Sequence, residues 1–503
     1  MTQTPPIEIP GTVAEVFDRV LATEPEREAL VTRSGRWTYA ELDRLADRAA
    51  HALAELGVQM GDRVAGTLPN DIDVVLAFHG AMRLGAVWVG VNRALAPPEK
   101  HYLLADSGTS LLVCDAGTAD ELGDVEGCRV VVAEAGDESC LWREAMAAAP
   151  DSPKRADVDP LAPAGIAYTS GTTGFPKGAV HSQYNLLVPG AAMVARRGYD
   201  AATRKGDSLP LTILNMQVLT TLLTSQAGGC QVIMDRLDAA GVAEWIRDER
   251  VTVWNGPPAT LLSLATLDEV APDDLGSLQE VWVGGADCPE AIRRRFEDRF
   301  GVPVAHTYGL SEAPTIVSIE DVGEHTATAC GRPLAHLDVR IVDDEVCVAP
   351  QSEGPWAGVY HLMLGYWEKP EATAETLRGG MLHTGDLGVV DDEGLLFIRD
   401  RKSLVILRGG ANVYPAEVER VIQELEGVAA CAVLGIPDER LGERVVAAVE
   451  LAPGGAVTEE QLTAHCLTNL AKYKVPERWV YVDGFARNSM NKIQRADLPA
   501  LFP

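Results

Sequence analysis

The chain has 503 residues, 47% of them hydrophobic and 23% charged, and a formal net charge of −30 at pH 7. That length exceeds what one hydrophobic core organises, so two or more domains are expected, and the composition is that of a globular protein, not a disordered or membrane-embedded one. The charge argues against nucleic-acid or anionic-lipid partners, and any anionic substrate must meet a local positive site or a metal ion.

The N-terminal stretch MTQTPPIEIPGTVAEVF has no basic region followed by an apolar one, and no run of roughly 18 apolar residues occurs, so a cytoplasmic protein is expected. In WTYAELDRLADRAAHALAELG the spacing of Leu42, Leu45, Ala49, Leu53 and Leu56 predicts one apolar helix face, with Gly57 as the stop. GDRVAGTLP reads as a strand, VVLAFHGAMRLG as a helix and AVWVGVN as a strand. The alternation continues to about residue 320 through SLLVCD, CQVIMD, AEWIRDE, VTVWN and EVWVGG. It predicts an α/β fold with largely parallel sheets.

PDSPKRADVDPLAP, residues 150–163, reads as a connecting loop. Over 326–401 the pattern changes to short strands with turn residues, as in LDVRIVDDEVCVAP, which predicts a β-rich subdomain closing a large N-terminal domain, 1–401. Residues 402–503 carry helix AEVERVIQELEG, strands VAACAVLGIP and ERVVAAVEL, helix EEQLTAHCLTNL and strand RWVYVD, the make-up of a small α+β domain. Nine cysteines without a CxxC pair fit neither a zinc site nor a disulfide framework and read as small buried hydrophobes in a reducing compartment.

The stretch YTSGTTGFPKG, Tyr168 to Gly178, has the chemistry of a phosphate loop. Glycines Gly171, Gly174 and Gly178 allow close backbone approach, Thr169, Ser170, Thr172 and Thr173 offer hydroxyl donors, and Lys177 adds a movable positive charge. It is not a Walker loop: Lys177 follows Pro176 and precedes Gly178, so no hydroxyl stands at the magnesium-binding place. The whole string resembles the signature loop of the adenylate-forming superfamily, which includes acyl-CoA synthetases, luciferases and peptide-synthetase adenylation domains.

Further strings agree in order along the chain. HTYGLSEAP is similar to the family's second signature; the resemblance implies Tyr308 against adenine, Ser311 at the α-phosphate and Glu312 as ligand of Mg2+. VWVGGADCP supplies Gly284, Gly285 and Ala286 beside the purine, and HTGDLG and FIRDRKS supply Asp386 and Arg401 for the ribose. RGGANVYPAEVE resembles the loop along the pantetheine tunnel of the CoA-using branch, implying CoA contacts at Gly409 and Gly410. ARNSMNKIQRADL matches the C-terminal lysine motif and makes Lys492 the bridge between substrate carboxylate and α-phosphate.

The resemblance therefore implies an acyl-CoA ligase that uses ATP and Mg2+ to form an acyl-adenylate and pyrophosphate, then transfers the acyl group to coenzyme A. It implies a mobile C-terminal domain swinging about a hinge at Ser403, so that one site serves both half-reactions. Free CoA is the expected acceptor because no carrier domain follows Pro503; a homodimer is an admissible assembly.

Four departures bear on this reading. Ser403 stands where the family usually has Asp or Lys, Ala486 where it has Pro and Asn491 where it has Gly. LPLTILNMQ, with Ile213 nearest the gate position, replaces an aromatic or His gate. An aliphatic gate favours a large hydrophobic acid, with Ile213, Leu214, Gln217, Trp254, Asn255 and Gly256 as pocket candidates by neighbourhood. Two alternatives stand beside it: an enzyme competent mainly in thioesterification of a preformed acyl-adenylate, and an inactive nucleotide- or acid-binding homologue. ATP-dependent pyrophosphate release separates the ligase from the inactive homologue.

Overall fold

The computed structural model describes residues 6–169, 175–284, 288–326, 328–408, 411–438, 440–487 and 492–502, with the backbone alone at 403. The chain divides into two compact units, Met1–Val339 with Val348–Leu382, and Arg340–Cys347 with His383–Pro503.

The first unit contains two large sheets. In one, the strands Arg63–Thr67, Val87–Gly90, Leu111–Cys114, Arg129–Val132 and Pro163–Thr169 run parallel, and Lys177–Ser182 and Gly365–Tyr366 add antiparallel at one edge. In the other, Glu28–Thr32, Cys230–Ile233, Arg204–Asp207, Val253–Asn255, Glu280–Gly284 and Val304–Leu310 are parallel neighbours, with antiparallel strands outside them. Central strands such as Leu111–Cys114 and Cys230–Ile233 are buried throughout, as strands covered on both faces must be, which is why they read as continuous apolar runs.

The predicted first long helix is Tyr39–Glu55, opened by a capping box in which Glu41 N–H donates to Thr38 Oγ1 and Thr38 N–H donates to Glu41 Oε2. Gly57, at φ +101°, follows its end. Its buried face carries Leu42, Ala46, Ala49, Ala50 and Leu53, and packs on the helix Ile72–Arg83. A Cβ on Gly80 would stand 2.9 Å from the Ala49 carbonyl carbon, so only glycine lets the two backbones approach this closely.

The second unit builds its own core. The strands Ile406–Arg408, Ala411–Val413, Val428–Asp438, Gly442–Leu451 and Arg478–Val482 form one sheet, and the helices Pro415–Gln423 and Glu459–Asn469 contribute Val418, Ile422, Leu462 and Cys466 to the cluster on it. Phe502 with Val446 and Ala448 forms a second cluster. The architecture is the expected α/β body with a small α+β unit. Cys128 and Cys288 are half-buried and the other seven cysteines are buried. No helix among the described residues is long and apolar enough to cross a membrane.

Candidate functional site

The glycine- and hydroxyl-rich loop joins two antiparallel strands. Thr169 pairs with Lys177 and Tyr168 with Gly178, so Lys177 opens the return strand Lys177–Ser182. Ser170, Gly171, Thr172, Thr173 and Gly174 lie outside the described residues. The base of the loop is firmly held: Tyr168 Oη donates to Asp106 Oδ2 at 2.9 Å, Lys369 Nζ donates to Asp106 Oδ1 at 3.0 Å, and Tyr102 Oη donates to the Pro176 carbonyl at 3.0 Å. Gly178 has a packing role. A Cβ there would meet Ile166 Cγ2 at 2.4 Å and the Tyr168 ring at 3.2 Å.

The second signature string lies on the strand Val304–Leu310 and the turn after it. Gly309 faces the Thr315 carbonyl so closely that a Cβ would lie 2.0 Å from its oxygen, at a β-bulge between Tyr308 and Gly309. Glu312, half-buried, accepts from Tyr366 Oη at 2.7 Å through Oε1, and Lys177 Nζ lies 5.3 Å from the centre of the same Tyr366 ring. One tyrosine thus touches both the cation after the first loop and the carboxylate of the second.

A histidine joins the same two strings. His181 Nε2 donates to the Ser311 carbonyl at 2.6 Å, and its Nδ1 accepts from Asn185 Nδ2 at 3.4 Å. Burial pushes this imidazole down to about 4, so at neutral pH it is the uncharged tautomer with its hydrogen on Nε2. Neither Tyr366 nor His181 stands out in the sequence. The available signal was their nearness to motifs: His181 is four residues past Lys177, and Tyr366 lies in the string GYWEKPEATAETL.

Gly284, the last residue of its strand, pairs with Thr307 on the adjacent parallel strand, and a Cβ on Gly284 would strike Thr307 Oγ1 at 1.9 Å. Tyr308, half-buried, follows Thr307 at this carboxyl edge, the usual place for a ligand crevice in an open α/β sheet. Gly285 and Ala286 lie outside the described residues. Asn255 ends a neighbouring strand, and its Nδ2 donates to buried Asp207 Oδ2 at 2.5 Å; Thr220 Oγ1 donates to the same oxygen at 2.8 Å. Gln217 is likewise engaged, donating to the Leu211 carbonyl at 2.6 Å and accepting from Thr221 Oγ1 at 2.7 Å.

Trp254 is fully buried in an apolar cluster with Leu261 and Val281, and a Cβ on Gly256 would lie 2.3 Å from Leu261 Cδ1. Leu214 packs over Gly165, in the strand leading to the phosphate loop, and Ile213 is half-buried. The segment carrying them is pinned by Trp88 Nε1 donating to the Thr212 carbonyl at 2.9 Å and Asn70 Oδ1 accepting from Leu211 N–H at 3.0 Å.

The remaining candidates belong to the second unit. Asp386 and Arg401 are register partners on adjacent antiparallel strands, joined by an ion pair of 2.9 Å. Lys492 lies near this pair. Part of its surface reaches solvent, yet the protein atoms around it lower its pKa, Arg401 adds to the effect and Asp386 opposes it. The chain on either side is pinned: Gln494 N–H donates to the Ala486 carbonyl at 2.8 Å, and Arg495 pairs with half-buried Glu419 at 2.7 and 2.9 Å. Gly409, Gly410 and Asn491 lie outside the described residues, as does the side chain of Ser403, whose backbone forms part of a 3-10 turn after Arg401.

Family comparison places this geometry among known proteins. Residues 17–367 match the family model described as AMP-binding enzyme, and residues 417–492 match that of the AMP-binding enzyme C-terminal domain. The chain is 35% identical over 472 residues to long-chain-fatty-acid–CoA ligase FadD13 of Mycobacterium tuberculosis, covering 92% of each. It is 34% identical to feruloyl-CoA synthase of an Amycolatopsis species, covering 92% of this chain and 94% of that one. Among solved structures, ATP-bound MatB from Rhodopseudomonas palustris superposes with a TM-score of 0.88 at 27% identity, over 97% of this chain and 99% of the other.

Proposed function

The chain belongs to the AMP-binding enzyme family, and from that premise we propose that it is an AMP-forming acyl-CoA ligase for a bulky, hydrophobic carboxylic acid. A carboxylate cannot be displaced directly because its leaving group would be oxide. Its oxygen attacks the α-phosphorus of ATP, pyrophosphate leaves, and the acyl-adenylate forms; the CoA thiolate then attacks the carbonyl and AMP departs with the bonding electrons.

The observation that carries this reading is the grouping of Lys177, Tyr366 and Glu312 at the start of the return strand Lys177–Ser182. Lys177 and the loop hydroxyls and amides hold phosphate charge, Ser311 contributes at the α-phosphate, and Tyr366 fixes the Glu312 carboxylate. The Glu312 carboxylate suits a hard divalent cation such as Mg2+, which, when bound, would draw charge from the phosphates. Tyr308 and Gly284 border the adenine, Asp386 and Arg401 hold the ribose hydroxyls, and Lys492 stabilises the carboxylate and α-phosphate during attack. Gly409 and Gly410 admit the pantetheine arm.

In this proposal the division of labour is an adenylate-forming domain 1–401 and a C-terminal domain 402–503 hinged at Ser403, in a cytoplasmic enzyme for which a homodimer is an admissible assembly. The aliphatic segment around Ile213 and Leu214 supports the bulky acid. So do relatives named for a long-chain fatty acid and for feruloyl-CoA.

The test is acid-dependent ATP–pyrophosphate exchange measured beside thioester formation on a panel of hydrophobic acids, with synthetic acyl-adenylates in parallel. Exchange and thioester from the same acid support the complete ligase. Thioester from the supplied adenylate alone rejects it in favour of a thioesterifying enzyme, and neither product rejects both.

A further inference from the structure

The cysteine spacing along the chain points to no metal site, but the β-rich segment of the second unit assembles one from residues far apart in sequence. Glu345 and Cys347 are two residues apart on the strand Glu345–Pro350 and share a face, and His383 lies on the strand Met381–Val390. Cys347 Sγ and Glu345 Oε2 each lie 3.3 Å from one atom, His383 Nδ1, and the three donor atoms are all within 4.8 Å of one another. Glu345 and Cys347 are buried and His383 is half-buried.

A nucleophilic relay needs the thiol and the carboxylate on opposite ring nitrogens, one side to lose a proton and the other to orient the ring. Here both face Nδ1, and a single N–H cannot serve two acceptors well. Sulfur, nitrogen and oxygen donors within 4.8 Å of one another make up the ligand set a tetrahedral, borderline-soft cation takes. Bonds of about 2.3 Å to sulfur and about 2.0 Å to nitrogen at tetrahedral angles would set those two atoms roughly 3.5 Å apart, close to the spacing observed. The neighbours are also held: Glu345 Oε1 accepts from Gly385 N–H at 3.0 Å, and Thr384 Oγ1 donates to the Val346 carbonyl at 2.7 Å.

We propose that Glu345, Cys347 and His383 form a binding site for one Zn2+-class ion, with the fourth position open to water or another ligand. On binding, the thiol releases its proton to solvent and the thiolate sulfur, the imidazole nitrogen and the carboxylate oxygen each donate an electron pair to the ion. The ion has a competitor. Lys402 Nζ lies 3.5 Å from Glu345 Oε2, and a bound cation repels that ammonium group.

The full-length protein, stripped by a chelator under reducing conditions, is titrated with Zn2+ against a chromophoric chelator, and with Co2+ to read the thiolate-to-metal charge-transfer band. One Zn2+ per chain is expected, bound at least about tenfold more weakly by Cys347→Ser and His383→Gln. The Co2+ band should vanish in Cys347→Ser, and Lys402→Gln, at an exposed position, should bind Zn2+ more tightly. Circular dichroism identifies a variant that fails to fold, in which case the wild-type Co2+ spectrum and the Lys402→Gln shift decide. The proposal is overturned if the wild type binds no stoichiometric Zn2+, if Cys347→Ser leaves the affinity unchanged, or if the Co2+ complex lacks the thiolate band.

Discussion

Tyr366 Oη donates to Glu312 Oε1 at 2.7 Å while the ring of the same tyrosine lies 5.3 Å from Lys177 Nζ. A hydrogen bond to a charged group contributes about 1.5 to 3 kcal/mol, and a cation over an aromatic face about 0.5 to 2 kcal/mol. Tyr366→Phe keeps the ring and removes the donor, so ATP–pyrophosphate exchange should fall about tenfold or more. Tyr366→Leu removes both and should fall further; equal rates in the two variants would show that the ring contributes nothing to placing Lys177.

Lys492 should separate the half-reactions. In Lys492→Ala, exchange is expected to drop by about 10² to 10³, the usual loss for one well-placed charge-stabilising donor, while conversion of a synthetic acyl-adenylate to thioester is retained. Because its surroundings lower its pKa, its positive charge is lost at a lower pH than that of an ordinary lysine. The kcat/KM for adenylation should therefore decline on the alkaline side, and Lys492→Arg, with whatever activity it retains, should lack that decline.

Acid should destabilise the first unit through buried imidazoles. The folded pKa of His181 is about 4 and those of His79 and His336 about 3, against 6.5 for an unperturbed histidine. The unfolded chain binds more protons over that interval, so this stability is fully present above pH 6.5 and is lost as pH falls towards the folded values. His181 alone accounts for on the order of 3 kcal/mol. Denaturant midpoints measured between pH 7.5 and 4.5 should fall less steeply for His181→Asn than for the wild type; parallel curves would contradict a buried neutral histidine.

Gly309→Ala should damage both folding and function. Its Cβ would lie 2.0 Å from the Thr315 carbonyl oxygen, which belongs to backbone and cannot rotate away. Overpacking of this kind costs about 1 to 3 kcal/mol, and the strain falls three residues from Glu312. A lower melting temperature together with reduced exchange is expected, whereas an unchanged melting temperature would show that the bulge opens freely.

Ile213→Trp should narrow the range of acids. The half-buried aliphatic side chain sits in a segment fixed by Asn70 and Trp88, so added bulk has little room to be absorbed by backbone movement. The expected result is selective loss of kcat/KM for the bulkiest acids of the panel, with the smallest affected least. A uniform loss across the panel would remove Ile213 from the acid channel.

Much of the architecture was legible because it is written in short-range periodicity. The helix at Tyr39–Glu55 follows from its apolar spacing and its Thr38 and Glu41 cap, and the buried parallel strands follow from continuous apolar runs. The motif strings were legible because their backbone and hydroxyl donors are contiguous, as in YTSGTTGFPKG. Side-chain engagement was not legible. Gln217 and Asn255 look in sequence like polar groups available to a substrate, yet Leu211, Thr221 and Asp207 already occupy them.

The sequence by itself determined the family, the α/β and α+β architecture and the chemistry of the individual strings, since glycine freedom, hydroxyl donors and lysine charge are properties of residues and their immediate neighbours. Only the tertiary structure decided that Tyr366 meets Glu312, that His181 meets the Ser311 carbonyl and that Cys347 and Glu345 converge on His383. Each of these pairings, save the short step from Glu345 to Cys347, joins segments brought together by strand order and register. A shift of one residue in register turns a side chain to the opposite face of its sheet, and no local spacing in the sequence records which neighbour it will then find.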